Sequence, residues 1–224
     1  MNKVKLVIID LDDTIYSEFD FVQSGFRYVA ENISFLVNYS VPYLIEKMNV
    51  FFKNDKKTVF NQLINFIKVN DDINLEKLIH LYKFHIPQIK PYADFYDFCK
   101  ILDFNNIILV LLTDGDVAQQ KNKVFGLKIE KYFKKIYYSD SYGIDFRKPN
   151  PKIYLEIIND LKIGNDEILV IGDNPNKDFY CKKTLGLSTI QILRPNAIYA
   201  LSNKYLDDVK PDMIIGSLNE ITLI

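Results

Sequence analysis

The sequence predicts an α/β fold: a mostly parallel sheet with helices on both faces, interrupted after its first strand by an all-helical segment. Three observations predict it. Apolar runs at 4–9 (near-continuous, broken by Lys5), 107–112 and 167–171 (entered at Glu167) are short and lack sustained alternation, the pattern of strands buried on both faces of a parallel sheet. Helix-period segments separate the later runs, and strands alternating with helices imply right-handed crossovers. Between residues 17 and 90 the periodic segments are helical and no strand pattern occurs.

Taken in order, the first run (Val4, Leu6, Val7, Ile8, Ile9) stops at Asp10, and Asp12, Asp13 and Thr14 follow. Open α/β sheets place ligands outside the carboxyl ends of their strands, where this acidic cluster falls. Three acids within four residues repel one another and desolvate poorly. A hard divalent cation with oxygen ligands resolves that conflict; a solvated acidic turn capping the next helix is the competing reading. Phe19, Val22, Phe26, Val29, Ile33 and Leu36 then recur at three- and four-residue steps, one face of an amphipathic helix. Val41-Pro42 breaks it, and Pro42 suits the first turn of the next helix. Segments 43–52, 58–69 and 75–84 read as further helices, with Asn70-Asp71-Asp72 a polar break. His80 and His85 do not share a helical face at five-residue spacing and are given no role.

After Pro91 the α/β alternation begins. A helix over 93–102 precedes the strand at 107–112, which ends in Thr113-Asp114-Gly115. A helix over 117–125 follows, with Gly126 as its stop. A weaker strand at 136–138 runs into Ser139-Asp140, and the loop Arg147-Lys148-Pro149-Asn150-Pro151 leads into a helix over 153–161. The strand at 167–171 ends in Gly172-Asp173, and a helix running from about Asp178 to Leu185 is stopped by Gly186. Short strands at 189–193 and 213–215 complete the sheet. The expected division is a Rossmann-like core of 1–16 and 91–224 with a helical insert of 17–90.

At 224 residues, 48% hydrophobic and 25% charged, the chain has an ordinary globular composition and is long enough for one sizeable core with a smaller insert. A net charge of −1 gives no electrostatic reason to expect nucleic acid. Cys99 and Cys181 make neither a disulfide framework nor a zinc spacing; they read as reduced thiols, with a single bridge left open. The N-terminus is a poor signal peptide, and no apolar run reaches bilayer length. A cytoplasmic protein without nucleic-acid or membrane partners is therefore expected. Its oligomeric state is not legible.

Three strands end in different polar residues: Asp10 and Asp12, then Thr113, then Asp173 and Asp178. A parallel sheet gathers such ends on one edge, and Lys148 precedes the helix between the second and third. The set suits phosphoryl transfer. Asp10 can attack phosphorus and form an aspartyl-phosphate. The charge spread over the phosphoryl oxygens calls for a cation and for donors. Mg²⁺ held by Asp10 and Asp173 supplies the first. The Thr113 hydroxyl, the backbone N–H groups of Asp114 and Gly115, and Lys148 supply the second. Asp12 can protonate the leaving alcohol and later activate water. Blander readings stand beside each: Thr113 as a helix cap, Lys148 as a loop lysine, Asp178 as a helix N-terminal acid, and Asp13 as solvated or satisfied by local backbone.

These residues resemble the haloacid dehalogenase (HAD) superfamily, specifically its phosphatases with a helical cap of the C1 type. Asp10-Leu11-Asp12-Asp13-Thr14 matches the D-x-D-x-T motif, Thr113 the second motif, Lys148 before proline the third, and Gly172-Asp173 with Asp178 the fourth. The resemblance implies that Asp10 is the nucleophile and Asp12 the general acid/base, with the Asp12 backbone carbonyl also on Mg²⁺. It implies that Asp173 is a metal ligand and that Asp178 acts behind the metal, through water or by holding Lys148. One departure is Asp114, where the family often has Asn; its side chain is expected to turn away from the phosphate. The implied activity is Mg²⁺-dependent hydrolysis of a small phosphomonoester: a sugar phosphate, a phosphoglycolate-like acid or a nucleoside monophosphate. A phosphomutase of the same family, and a non-catalytic phospho-receiver or sugar-phosphate binding module, stay open as alternatives.

Overall fold

The computed structural model describes residues 4–68, 73–195, 197 and 204–222. Its strands are β1 (Leu6–Ile9), β2 (Ile108–Thr113), β3 (Lys135–Tyr138), β4 (Ile168–Gly172), β5 (Ser188–Ile192) and β6 (Met213–Ile215). Its α-helices are α1 (Glu18–Val37), α2 (Val41–Asn54), α3 (Val59–Ile67), α4 (Leu75–Phe84), α5 (Ala93–Phe104), α6 (Val117–Leu127), α7 (Lys152–Leu161) and α8 (Tyr180–Leu185). The six strands form one sheet in the order β3-β2-β1-β4-β5-β6, and every pairing is parallel. β1 lies between β2 and β4, with Leu6 level with both Ile108 and Ile168. The order reverses direction at β1, so the crevice of a topological switch point opens at its carboxyl end.

The chain divides into two compact units, Met1–Glu18 with Lys90–Ile224, and Phe19–Ile89. In the first, the apolar runs read from the sequence are the core: Leu6, Ile8, Val110, Leu112, Ile168 and Val170 pack with Ile153, Tyr154 and Ile157 of α7. In the second, the expected stripe of α1 is buried at Val22, Phe26, Val29 and Ile33, against Leu44 and Met48 of α2, Leu63 of α3 and Leu78 of α4. Pro42 sits in the first turn of α2, where its missing N–H costs no helical bond. His85 is buried, with its ring nitrogens 2.7 Å from the Tyr82 carbonyl and 3.0 Å from Ser24 Oγ. His80 lies beside the Phe84 ring. The break at Asn70-Asp71-Asp72 falls outside the described residues.

Some boundaries differ from the sequence reading for physical reasons. α6 runs through Gly126 to Leu127 and is capped by Lys128, in the left-handed region at φ 57°, because Leu127 continues the buried face of the helix. α8 starts at Tyr180, since residues 174–178 close on themselves: the Asn174 carbonyl accepts from Lys177 N (3.1 Å) and Asp178 N (3.0 Å). Both cysteines are free and buried. Among the described residues no helix is long and apolar enough to cross a membrane.

A buried arginine ties the first unit together. Arg194 binds both carboxylate oxygens of Asp94 (2.6 and 3.0 Å), donates twice to the Thr14 carbonyl (2.9 and 3.1 Å), and lies over the Tyr92 ring. Tyr92 N in turn donates to the Ile15 carbonyl (2.8 Å). Asp94 also accepts from Ser217 Oγ and Leu218 N, so one ion pair joins the loop after β1, α5, the segment after β5 and the turn that follows β6. Burial pushes the Asp94 carboxyl up, but bonds from Arg194, Ser217 and Leu218 outweigh it and hold it below its usual range. Its stabilisation is thus full above the unfolded pKa of about 4 and is lost as pH falls through the lower folded value. Arg194→Met, which strands Asp94, is expected to lower the unfolding free energy by about 3–5 kcal/mol in urea titrations. The pair variant Arg194→Met with Asp94→Leu should recover part of that loss.

Candidate active site

The site grows from the end of β1. Asp10 N extends the ladder by one bond to the Ile171 carbonyl (2.9 Å). The chain then turns at Asp13, which adopts φ 50° and accepts the amide of Glu18 (2.8 Å), the first residue of α1. Asp13 is therefore buried and satisfied by local backbone instead of solvated. Asp116, and not Thr113, caps α6, accepting from Ala118 N and Gln119 N at 3.0 Å each. Thr113 Oγ1 accepts from Gln120 Nε2, and Gly115 makes the connecting turn at φ 121°.

Lys148 is the hub. Its ammonium lies 2.5 Å from Asp10 Oδ1 and 2.7 Å from Asp178 Oδ1, with the lysine side chain 3% exposed. The other Asp178 oxygen accepts from Asn174 N (2.9 Å), so both oxygens of that carboxylate are engaged behind Lys148. The Lys148-Pro149 peptide is cis. Asp114 Oδ1 accepts from Ser139 Oγ (2.7 Å) and from Lys148 N (3.2 Å), while Oδ2 lies 3.5 Å from Lys177 Nζ. The acid that departs from the usual Asn thus fastens the end of β3 and the lysine loop to the end of β2.

Asp12 has its own cation. Its Oδ1 accepts from the Tyr16 hydroxyl and from Lys123 Nζ (2.7 Å), and its Oδ2 from Gln120 Nε2 (3.0 Å). Burial opposes ionisation, but Lys123, Tyr16 and Gln120 outweigh it and hold the carboxyl below its usual range. Gln120 and Lys123 escaped the sequence reading. The signal was present: residues 120, 123, 124 and 127 form the buried face of α6, and polar side chains occupy its first two positions.

One cavity of about 380 Å³ is lined by Asp10, Asp12, Thr113, Asp114, Gly115, Lys148 and Asp173, all singled out from the sequence, and also by Asp13, Glu18, Gln119, Gln120, Lys123, Asn174 and Lys177. Asp178 stands behind Lys148 and does not line it. The charge balance of this cavity is a test of whether it suits a metal. Burial, with repulsion from Asp10, Asp178 and Asp13, pushes the Asp173 carboxyl up to about 10. Burial also raises Asp10, to about 7; Lys148 opposes this, and Asp178 and Asp12 add to it. Asp10, even with Lys148 beside it, and Asp173 are therefore left short of positive charge, and a divalent cation fits that deficit. Among the described residues no group of three or more acidic, histidine or cysteine side chains is arranged to hold a metal ion.

The profile of the family described as haloacid dehalogenase-like hydrolase matches residues 7–192. The chain is 24% identical over 227 residues to a glyceraldehyde 3-phosphate phosphatase of Methanocaldococcus jannaschii, covering 97% of this chain and 95% of the relative. It is 27% identical over 120 residues to a phosphoserine phosphatase of Thermus thermophilus, covering 52% and 49%. In fold it is similar to the HAD-hydrolase YfnB of Bacillus subtilis, a structure bound to magnesium, with a TM-score of 0.67, 17% identity, and 98% and 97% of the two chains covered.

Gly172 shows how closely the β4 end is fitted to this arrangement, because a Cβ there would collide with the Asp178 carboxylate. Gly172→Ala is expected to displace Asp178 from Lys148 and to cost about 1–3 kcal/mol of stability, read by denaturant unfolding. Wild-type stability in this variant would mean that the loop after β4 yields freely.

Proposed function

The chain belongs to the haloacid dehalogenase-like hydrolases, and from that membership we propose that it is a Mg²⁺-dependent phosphatase of small phosphomonoesters, acting through an aspartyl-phosphate on Asp10. The observation that carries the reading is that Asp10, Asp12, Thr113 and Lys148 face a single cavity at the carboxyl edge of β1 and β2. The Thr113 hydroxyl, the amides of Asp114 and Gly115, and the Lys148 ammonium bind the phosphoryl oxygens. A carboxylate oxygen of Asp10 attacks phosphorus, and the ester P–O bond breaks as Asp12 gives a proton to the leaving oxygen. Water then gives a proton back to Asp12 and attacks the same phosphorus, which releases phosphate and frees Asp10. Asp10, Asp173 and the Asp12 backbone carbonyl would hold Mg²⁺, which would supply positive charge to the phosphoryl oxygens. Asp178 acts behind these ligands by holding Lys148.

The names of the sequence relatives favour a phosphate on a small, acyclic carbon chain within the wider set of sugar phosphates, phosphorylated acids and nucleoside monophosphates. The helical insert of 17–90 is proposed as the cap, the part of the chain in which substrate preference resides.

Phosphate release across a phosphomonoester panel tests the reading. Asp10→Asn is expected to lower kcat by roughly three orders of magnitude or more while leaving the circular dichroism spectrum unchanged. Undiminished turnover in that variant would sink the covalent route. EDTA is expected to abolish activity, added Mg²⁺ to restore it, and Ca²⁺ to inhibit, since its looser coordination misplaces the nucleophile. Full activity in excess chelator would refute the metal requirement.

A further inference from the structure

The strand-end residues account for the phosphoryl group but leave two buried polar side chains of α6 without an assignment. Lys123 is 5% exposed at its side chain and lies 2.7 Å from Asp12 Oδ1. Gln120 is 2% exposed, and its amide donates to Asp12 Oδ2 (3.0 Å) and to Thr113 Oγ1 (2.5 Å). A primary amide has two N–H donors, and these two acceptors use both. A buried ammonium and a buried amide are costly on a face that otherwise carries Val124 and Leu127. Packing alone asks for apolar residues at both positions.

The donors are distributed unequally over Asp12. A carboxylate offers about four lone-pair sites. Oδ1 receives both the Tyr16 hydroxyl and the Lys123 ammonium, which fills that oxygen. Oδ2 receives one bond, from Gln120, and keeps a site. Because Gln120 is also anchored on Thr113, the direction from which it meets Oδ2 is set by the residue that faces the phosphoryl group.

We propose that Lys123 and Gln120 are positioning residues for proton transfer, holding the Asp12 carboxylate so that Oδ2 alone exchanges a proton with the leaving oxygen and then with water. This rests on the phosphatase reading above. In the first half-reaction Asp12, entering the step with a proton on Oδ2, gives that proton to the ester oxygen as its bond to phosphorus breaks, and becomes the carboxylate that Lys123 and Gln120 hold. In the second, a water proton returns to Oδ2 as the water oxygen bonds to phosphorus. Lys123 and Gln120 keep their protons throughout.

The test compares kcat/KM, which reports only steps through leaving-group departure, on 4-nitrophenyl phosphate and on glycerol 3-phosphate with Mg²⁺ present. The nitrophenolate leaves without a proton, whereas the alkoxide needs one. Lys123→Met and Gln120→Met keep side-chain volume and remove the donors. Each is expected to lose at least about tenfold more kcat/KM on the alkyl ester than on the aryl ester, a fraction of the 10²–10⁴ that general acid catalysis supplies. A residue that merely supports the fold would lower both equally, and equal losses on the two esters overturn the inference while leaving the phosphatase reading intact. Thermal unfolding checks each variant. If Lys123→Met does not fold, Gln120→Met, which removes only a neutral group, decides. A wild-type protein that releases phosphate from no member of the panel overturns the underlying reading instead.

Discussion

Crowding of carboxylates at one edge of a parallel sheet is the constraint on which the rest of this structure depends. β1 and β4 are neighbours, so Asp10, Asp12, Asp13, Asp173 and Asp178 are brought to a single edge that is largely shielded from water. Each is handled differently. Asp178 and Asp10 share Lys148, Asp12 takes Lys123, and Asp13 takes the first amide of α1. Asp173 is left with like-charged neighbours and a strongly raised carboxyl. The same repulsion that makes the edge unstable by itself leaves a deficit of positive charge beside a cavity large enough for a small ligand.

The continuous core strands are what allow this arrangement. Leu6, Ile8, Val110, Leu112, Ile168 and Val170 are all nearly fully buried, and their burial offsets the desolvation of the polar ends. Buried ion pairs contribute little net stability, so Lys148 and Lys123 are better understood as fixing side-chain orientation. Arg194 does the same work beside the loop after β1. By holding the Thr14 carbonyl and Asp94 it anchors the loop that carries the acids to the start of α5.

Much of this was legible in the sequence because it followed from local rules. Apolar runs without alternation marked β1, β2 and β4, and the residues at their ends became the strand-end groups of the cavity. The stripe from Val22 to Ile33 marked α1. What escaped had a weak local signature or none. Gly126 looked like a helix stop, but burial of Leu127 carries α6 further. Arg194 was one basic residue among several until Asp94, a hundred positions away, supplied its partner. Gln120 and Lys123 were passed over because a polar residue within a helix is ordinarily solvent-facing. Only their coincidence with the buried face of α6 reveals them, and that requires asking which face of a weakly amphipathic helix is inside.

The two lysines also bear on how neighbouring acids can keep distinct roles. Asp10 and Asp12 stand two residues apart and both face the cavity. Two carboxylates so close tend to share one proton, each blurring the other's ionisation. Here each has a separate buried cation brought from a different element, Lys148 from the loop before α7 and Lys123 from α6. Lys148 is itself divided between Asp10 and Asp178, whereas Lys123 acts on Asp12 together with Tyr16 and Gln120. The surroundings therefore push the two carboxyls apart: Asp10 is raised to about 7 by burial and its acidic neighbours, and Asp12 is held low. Separation of this kind keeps two adjacent titrating groups from sharing one proton. In this fold it originates in the topology, because parallel strands place both lysine-bearing segments on the same edge as the acids.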